Sequence, residues 1–371
     1  MNTEKLSQLV ESILSEEGKF GTQGNLDSVA NALSNLASQP QEPRHQSELV
    51  KSLSNLETSV ASFVASFSPR DYERVQHLFP GDFERDLVSE IRKWISENPM
   101  SPNVVSQKVN TLRDERQQVL SYLQSFSESL GFFGFDYDEL DEGTAELGFQ
   151  IPRELFSNNL DGLIEELKQT QRMLRFVSEA RTGSYNPAVV GSISTTDPLF
   201  FLGVSVPVAQ QFGLLVTWAI GVWYTVEKIR KIRAETAQIQ AFTEAEIKKI
   251  FDSKIQEQIN QSVEAKVKEI LENGNAPKNR HGELSGALTW VLEALLAKME
   301  RGLTVELRLP PPPNEELDEE IDEETGQTSE PSNEMKAYTD LLDIQSKLQF
   351  PNMGDTPVLE IPEFKETNRK K

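Results

Sequence analysis

PLFFLGVSVPVAQQFGLLVTWAIGVWYTV, residues 198–226, contains no charged side chain and lies between Asp197 and Glu227. Over 203–226 the apolar side chains cover all sides of a helix, which is typical of a membrane span or of the centre of a large core. A helix over these residues would be about 36 Å long, enough to cross a hydrocarbon layer of about 30 Å. The side chains predicted to enter the membrane are Phe212, Leu215, Trp218, Ile220, Trp223 and Tyr224.

A basic cluster follows the apolar run directly. Trp223 and Tyr224 lie in the C-terminal part of the run, and aromatic side chains of this kind favour a membrane interface. The cluster itself is predicted to contact anionic lipid headgroups, and it consists of Lys228, Arg230, Lys231 and Arg233. Binding of nucleic acid is not expected, because acidic residues flank the cluster and the isoelectric point is about 4.7.

Some features disfavour a simple span. Pro207 and the pair Gln210 and Gln211 interrupt the run. Residues 1–20 contain no apolar stretch typical of a signal peptide, so export of the preceding residues is not predicted. A re-entrant insertion with its turn at 207–211 would keep both flanks cytoplasmic. Burial of the run in a core or in an oligomer interface is the alternative.

The rest of the chain reads as helical, so the sequence predicts an all-α fold. Apolar residues recur at spacings of three and four, as in Leu49, Leu53, Leu56 and Val60, and predict an N-terminal helical bundle over 1–181. No stretch of this half is interpreted as a period-two strand, and 131–159 is interpreted as a loop-rich insert. Residues 182–197, rich in Gly, Ser, Asn and Pro, are interpreted as a connector.

Residues 227–309 are predicted to form long, coiled-coil-like amphipathic helices. Thr243 and Glu246 have the spacing of a capping box that begins one of them. Its apolar stripe is predicted to mediate self-association or to bind a protein partner, and it contains Ile247, Phe251, Ile255, Ile259, Val263 and Val267. Residues 304–309 alternate as a strand does and need a partner strand, from a second subunit or from an unrecognised hairpin.

The last part, 310–371, is interpreted as an acidic, proline-rich, disordered tail. Four prolines begin it, and the acidic block 315–324 repels itself and buries little apolar surface. Within the tail, 335–350 has apolar residues at helical spacing. It is expected to be a short helix that folds on a partner or docks back on the body, or else a weakly helical patch.

No motif assigns a reaction. The 371 residues include no cysteine, which excludes disulfides and thiolate sites, and the net charge is −22. The three histidines, His45, His77 and His281, share no motif. We therefore expect no cofactor, no metal ion and no enzymatic activity.

Three hypotheses follow from the sequence. The first is a membrane-associated, non-enzymatic helical protein that anchors or inserts through 198–226, perturbs membranes in its stricter form, and keeps most of the chain cytoplasmic. The second is a soluble cytoplasmic scaffold whose apolar run is core or interface and whose acidic tail recruits a partner. The third is a helical enzyme with an unrecognised site.

Overall fold

The computed structural model describes residues 3–78, 87–134, 140–194, 198–237, 244–313, 332–351 and 359–364. Side chains are not described at 3–5, 70, 77–78, 233–237 and 244–252. The chain divides into two compact units, Met1–Asp138 and Glu139–Lys371.

Unit 1 is a helical bundle in the part that the structure describes, as the spacing of apolar residues predicts. Its helices are α1 (Thr3–Phe20), α2 (Thr22–Ser38), α3 (Pro43–Ala65), α4 (Pro69–Leu78), α5 (Leu87–Glu97) and α6 (Pro102–Phe132). Proline occupies the first turn of α3 and α6, where a missing N–H costs nothing. The apolar stripes form two clusters, and the buried Arg116 donates to Glu17 at 2.5 Å.

Unit 2 combines helices with a small sheet. Its elements are β1 (Thr144–Gln150), α7 (Leu160–Thr182), β2 (Val189–Ser194), β3 (Leu199–Ser205), α8 (Val206–Ala237), α9 (Glu244–Asn273), α10 (His281–Met299), β4 (Thr304–Arg308) and α11 (Asn333–Ser346). Two short 3-10 turns lie at Arg153–Phe156 and Lys278–Arg280. The mainly helical prediction is confirmed, and the sheet is an addition to it.

The sheet has the strand order β2-β3-β1-β4, and every neighbouring pair is antiparallel. The strand predicted near 304–309 is β4, and its partner is β1 of the same chain, with Leu307 opposite Leu147. The prediction of no strand in the first half was therefore wrong at 144–150. Ala145, Leu147 and Phe149 of β1 do alternate, and all three are buried.

The uncharged run 198–226 is divided between two elements. Its first part is β3, and α8 begins at Val206, whose N–H donates to the carbonyl of Gly143 at 3.1 Å. Pro207 therefore lies in the first turn of α8, where proline is tolerated. The helix continues through Gln210 and Gln211, so the structure has no turn at 207–211.

Helix α8 packs against α7, α9, α10 and α11 and against β1, β3 and β4. Each large apolar side chain buried in this way contributes about 1.5–3 kcal/mol to folding. The side chains of α8 that are buried are Val208, Ala209, Phe212, Leu215, Val216, Ala219, Ile220, Val222, Trp223 and Val226. One apolar cluster of unit 2 gathers around them.

The last described segments pack on this core. Leu341 and Ile344 of α11 are buried, and the amide of Gln210 in α8 donates to the Ala337 carbonyl at 3.1 Å. Leu359 is buried as well. Docking of 335–350 on the body was one of the alternatives expected from the sequence, whereas the packing of Leu359 was not expected. The acidic block 315–324 lies outside the described residues.

The units divide at Asp138, whereas the sequence placed a boundary at 181. Helix α7 belongs to unit 2, because its apolar stripe packs on α8, α9 and α10. The predicted connector 182–197 contains β2, an edge strand of the sheet. The spacing of an apolar stripe predicts a helix but does not say which core the helix covers.

One ion pair is buried within unit 2. The ammonium of Lys298 in α10 donates to the Glu166 carboxylate in α7, and both side chains are almost fully covered. Burial lowers the pKa of Lys298, and the Glu166 carboxylate opposes that shift. The pair ties α7 to α10 through charge as well as through apolar contact.

We predict that K298M destabilises the protein by about 3–5 kcal/mol, because it leaves the Glu166 carboxylate buried and unpaired. The double substitution E166L/K298M should recover most of this loss. Lys168, which pairs with Glu165 on the exposed side of α7, provides the control, and K168M should cost less than about 1 kcal/mol. Urea unfolding measures all three, and equal losses for K298M and the double variant would contradict the account.

Two glycines of α8 provide a second test. A Cβ at Gly213 would lie 2.5 Å from Cγ2 of Ile344 in α11, whereas a Cβ at Gly221 would meet nothing within 4 Å. We predict that G221A stabilises by about 0.5–1 kcal/mol through helix propensity. G213A should destabilise by about 1–3 kcal/mol through overpacking. Equal stabilisation by both in urea unfolding would mean that α11 does not dock at Gly213.

Candidate interaction groove

The residues predicted to enter a membrane lie on α8, and four of the six are buried by the chain itself. Phe212, Leu215 and Trp223 are fully covered and Ile220 is 4% exposed. Trp218 is half-buried, and Tyr224 is 47% exposed. Phe212 stacks edge-on against Phe149 of β1 with ring centroids 5.3 Å apart. The indole N–H of Trp223 donates to the Leu296 carbonyl at 3.2 Å.

The four predicted headgroup residues have different surroundings. Lys228 and Lys231 are exposed. Arg230 donates to Glu227 at 2.6 Å and to Glu300 at 2.5 Å, and its guanidinium lies over the Trp223 ring at 5.5 Å. Arg230 is therefore already engaged within the chain. The side chain of Arg233 lies outside the described residues.

The stripe predicted for self-association is buried on α9 where its side chains are described. Ile255, Ile259, Val263 and Val267 are at most 5% exposed and belong to the core of unit 2. Helix α9 contacts α8, α10 and α7. The Thr243 cap and the side chains of Ile247 and Phe251 lie outside the described residues.

A groove on α7 and α10 holds the chain's own C-terminal segment, Leu359 to Phe364. Helix α10 ends at the groove, and the Glu300 and Arg301 side chains fix both polar backbone groups of Leu359. The Leu359 N–H donates to Glu300 Oε2 at 2.9 Å, and Arg301 donates to the Leu359 carbonyl at 2.5 Å. This clamp holds the two polar backbone groups of one residue and makes no hydrogen bond to a side chain of the bound segment.

The Glu300 carboxylate is the centre of the clamp. Its side chain has no exposed area, and its other oxygen, Oε1, accepts from Arg230. A buried carboxylate is costly unless it is paired and hydrogen-bonded. The Leu359 N–H and Arg230 satisfy that requirement together, so the clamp joins the basic end of α8 to the C-terminal segment.

The far end of the segment fills an aromatic site. The Phe364 ring lies 5.0 Å from Trp290 and 5.5 Å from Phe176, and the Arg172 guanidinium lies 5.3 Å from it. The Trp290 indole N–H donates to the Pro362 carbonyl at 3.0 Å. Aromatic pairs and cation–π contacts are each worth about 0.5–1.5 kcal/mol, so Phe364 is a strong anchor.

The segment runs in the opposite direction to α10, because Leu359 lies at the C-terminal end of that helix and Pro362 lies at Trp290, nearer its middle. The five residue steps of the segment cover about 16 Å when extended. Trp290 in α10 and Glu300 at its C-cap hold the two ends of the segment, and ten residues of helix rise about 15 Å. Leu359 is buried, Glu360 and Glu363 are exposed, and Phe364 is half-buried. The groove thus holds this segment between the Glu300 and Arg301 clamp at one end and the Phe364 contacts at the other.

A separate cavity, of about 660 Å³, lies between α9 and α10. Its lining mixes acidic and basic side chains, among them Glu264, Lys268 and Lys278. His281 lines it too, with Nε2 3.1 Å from the Ala276 carbonyl. Within the described ranges no group of three or more His, Cys, Asp or Glu residues is placed to hold a metal ion. The cavity has no convergent set of groups that would favour one reaction.

Of the remaining histidines, His45 joins no site among the described residues. His45 lies 3.2 Å from Glu48 and 3.2 Å from Gln39 on the surface of unit 1. The side chain of His77 lies outside the described residues.

Comparison with known proteins assigns no role to the chain. No protein-family model matches it, and neither a curated protein nor a solved structure is similar to it. The groove must therefore be judged from its own geometry. Sequence reasoning missed the residues that form it. The signals available were Trp290 beside an apolar stripe and a Pro and a Phe near the end of an acidic segment, and both are weak on their own.

The groove geometry makes a direct prediction for amide exchange. F364A removes the aromatic anchor and should cost the segment about 1–2 kcal/mol, so the Leu359 amide should exchange about tenfold faster. E363A changes an exposed neighbour and should leave that amide unaffected. Hydrogen exchange with mass spectrometry measures both, and equal protection of Leu359 in F364A and in the unaltered protein would show that Phe364 does not anchor the segment.

Proposed function

We propose that this chain is a water-soluble, non-enzymatic helical interaction protein. In this proposal α8 is the core of unit 2, and the groove on α7 and α10 binds an extended peptide. The observation that carries the proposal is that the segment from Leu359 to Phe364 lies in that groove. Backbone hydrogen bonds hold one end of the segment and an aromatic anchor holds the other. Such a combination is the usual basis of peptide recognition.

The packing of α8 supports the water-soluble part of the proposal. A helix that spans a membrane turns apolar side chains to lipid, whereas the chain itself buries most of those on α8. One helix of the described part, over Val206–Ile232, is long and apolar enough to cross a membrane, and 56% of its most apolar stretch is buried inside the protein. The core helix of a soluble protein has the same length and composition.

Fractionation tests solubility. The expressed protein should remain in the supernatant after lysis without detergent and elute as a monodisperse species. Recovery in the membrane pellet, with retention there after a carbonate wash, would overturn the water-soluble proposal. An L214D variant is a useful companion, because Leu214 is the exposed leucine on α8. It should leave a soluble protein soluble and should release a membrane-inserted one.

Peptide binding in trans tests the groove. The cis segment competes at an effective concentration near millimolar, so the unaltered protein should bind a labelled peptide of residues 357–366 weakly. F364A weakens the cis competitor and should bind the free peptide at least about tenfold more tightly. E363A should bind like the unaltered protein. A peptide that carries Ala at position 364 is the ligand control.

Absence of binding by F364A at about 1 mM peptide would contradict the peptide-recognition proposal. Equal binding of the two peptides would contradict the anchor assigned to Phe364. The first result would leave the segment as a part of the fold only.

A second candidate is the membrane-associated protein, and a specific observation favours it. The outward stripe of α8 is uncharged and includes the exposed Leu214, Gly221 and Tyr224 and the half-buried Trp218. Lys228 extends this stripe with a positive charge, as expected at lipid headgroups. In this candidate α8 lies at a membrane surface with the stripe inserted, and the fractionation above decides between the two.

A further inference from the structure

The two edges of the sheet in unit 2 differ in how they are covered. At the β4 edge, the amide of Gln345 in α11 donates to the Leu307 carbonyl at 2.7 Å, and β4 carries charge at Glu306 and Arg308. At the other edge lies β2, which pairs with β3 on one side. No described strand pairs with its outer side.

Strand β2 lacks the side chains that usually protect an edge. Edge strands commonly carry lysine, inward charges or proline, because their unpaired N–H and C=O groups attract other strands. The sequence of β2 is VVGSIS, with no charge and no proline. Val189, Val190 and Ile193 are 69%, 59% and 51% exposed, which is high for aliphatic side chains in a sheet.

The charge of the chain identifies where two copies can meet. The net charge of −22 repels copies from one another at most surfaces. Residues 183–196, which include β2, carry no charged side chain. This neutral edge removes the repulsion at the same place where the backbone offers unpaired hydrogen-bonding groups.

We propose that β2 pairs antiparallel with β2 of a second copy across a two-fold axis. An antiparallel edge is self-complementary, so one strand satisfies the backbone groups of its own copy and a closed dimer results. The two sheets become one continuous eight-stranded sheet, in which Val189, Val190 and Ile193 contact the partner's strand. This inference rests on the water-soluble state proposed above.

The bulge in β2 limits the expected affinity of the dimer. The register with β3 shifts between Val190 and Ser192, and a bulge twists a strand and shortens its regular pairing. The contact is therefore short, and we expect a dissociation constant in the micromolar range, about 10 µM.

Sedimentation equilibrium from about 1 to 200 µM tests the dimer. The unaltered protein should be a monomer–dimer mixture, and V189K should weaken association at least tenfold. Val50 on α3 is a matched control, because it is 68% exposed against 69% for Val189. V50K changes the net charge equally and should not alter association.

A monomeric unaltered protein at 200 µM would overturn the inference. Equal weakening by V50K would also overturn it, because association would then not depend on β2. If the protein remains in the supernatant but is monomeric, only the dimer fails. If it is found in the membrane pellet, the proposed function fails.

Cross-linking gives a second readout that does not rely on weakening the interface. Because the chain has no cysteine, single cysteines can be placed at 189, 190, 192 and 193 and oxidised. When a two-fold axis relates two antiparallel strands, only the residue at the axis lies opposite the same residue of the other copy. Only that residue is close enough to its counterpart for a disulfide. One of the four should give far more covalent dimer than V50C, and yields equal to V50C at all four would contradict the pairing.

Discussion

Unit 2 depends on the need to cover α8. Most side chains of α8 up to Val226 are apolar and unfavourable in water. Four helices and the sheet therefore pack around the helix and leave only a narrow stripe of it exposed. The unit can be understood as a shell around this helix. The polar groups that must enter the shell are satisfied there, as when the Trp223 indole donates to the Leu296 carbonyl. The same property makes the helix resemble a membrane span in sequence.

A buried carboxylate, Glu300, connects three segments at the edge of that core. Glu300 accepts from Arg230 of α8 through one oxygen and from the Leu359 backbone through the other. Because each partner compensates the cost of burying the carboxylate, the basic end of α8, the end of α10 and the C-terminal segment depend on one another. In the structure the Leu359 N–H is the backbone donor to Glu300 Oε2.

Much of the helical fold could be predicted from the sequence, because stripes such as Leu49 to Val60 have one regular period. The sheet could be predicted only in part. β4 was identified by its alternation, and β1 carries the same signal at Ala145, Leu147 and Phe149, where it was overlooked. β3 has Phe200 and Phe201 buried on both faces, so its run cannot be distinguished from a buried helix by period. The groove could not be predicted, because its residues are far apart in sequence and are brought together by packing.

The central claim is that α8 is the core of a protein that folds in water. The most direct test is the reactivity of single cysteines with a charged, water-soluble maleimide, since the chain has none of its own. Leu214 is 45% exposed on α8 and Val216 is fully buried. We predict that L214C in detergent-free buffer reacts rapidly and that V216C reacts only after unfolding. Protection of both cysteines in membranes, with both becoming reactive when detergent removes the lipid, would contradict the account.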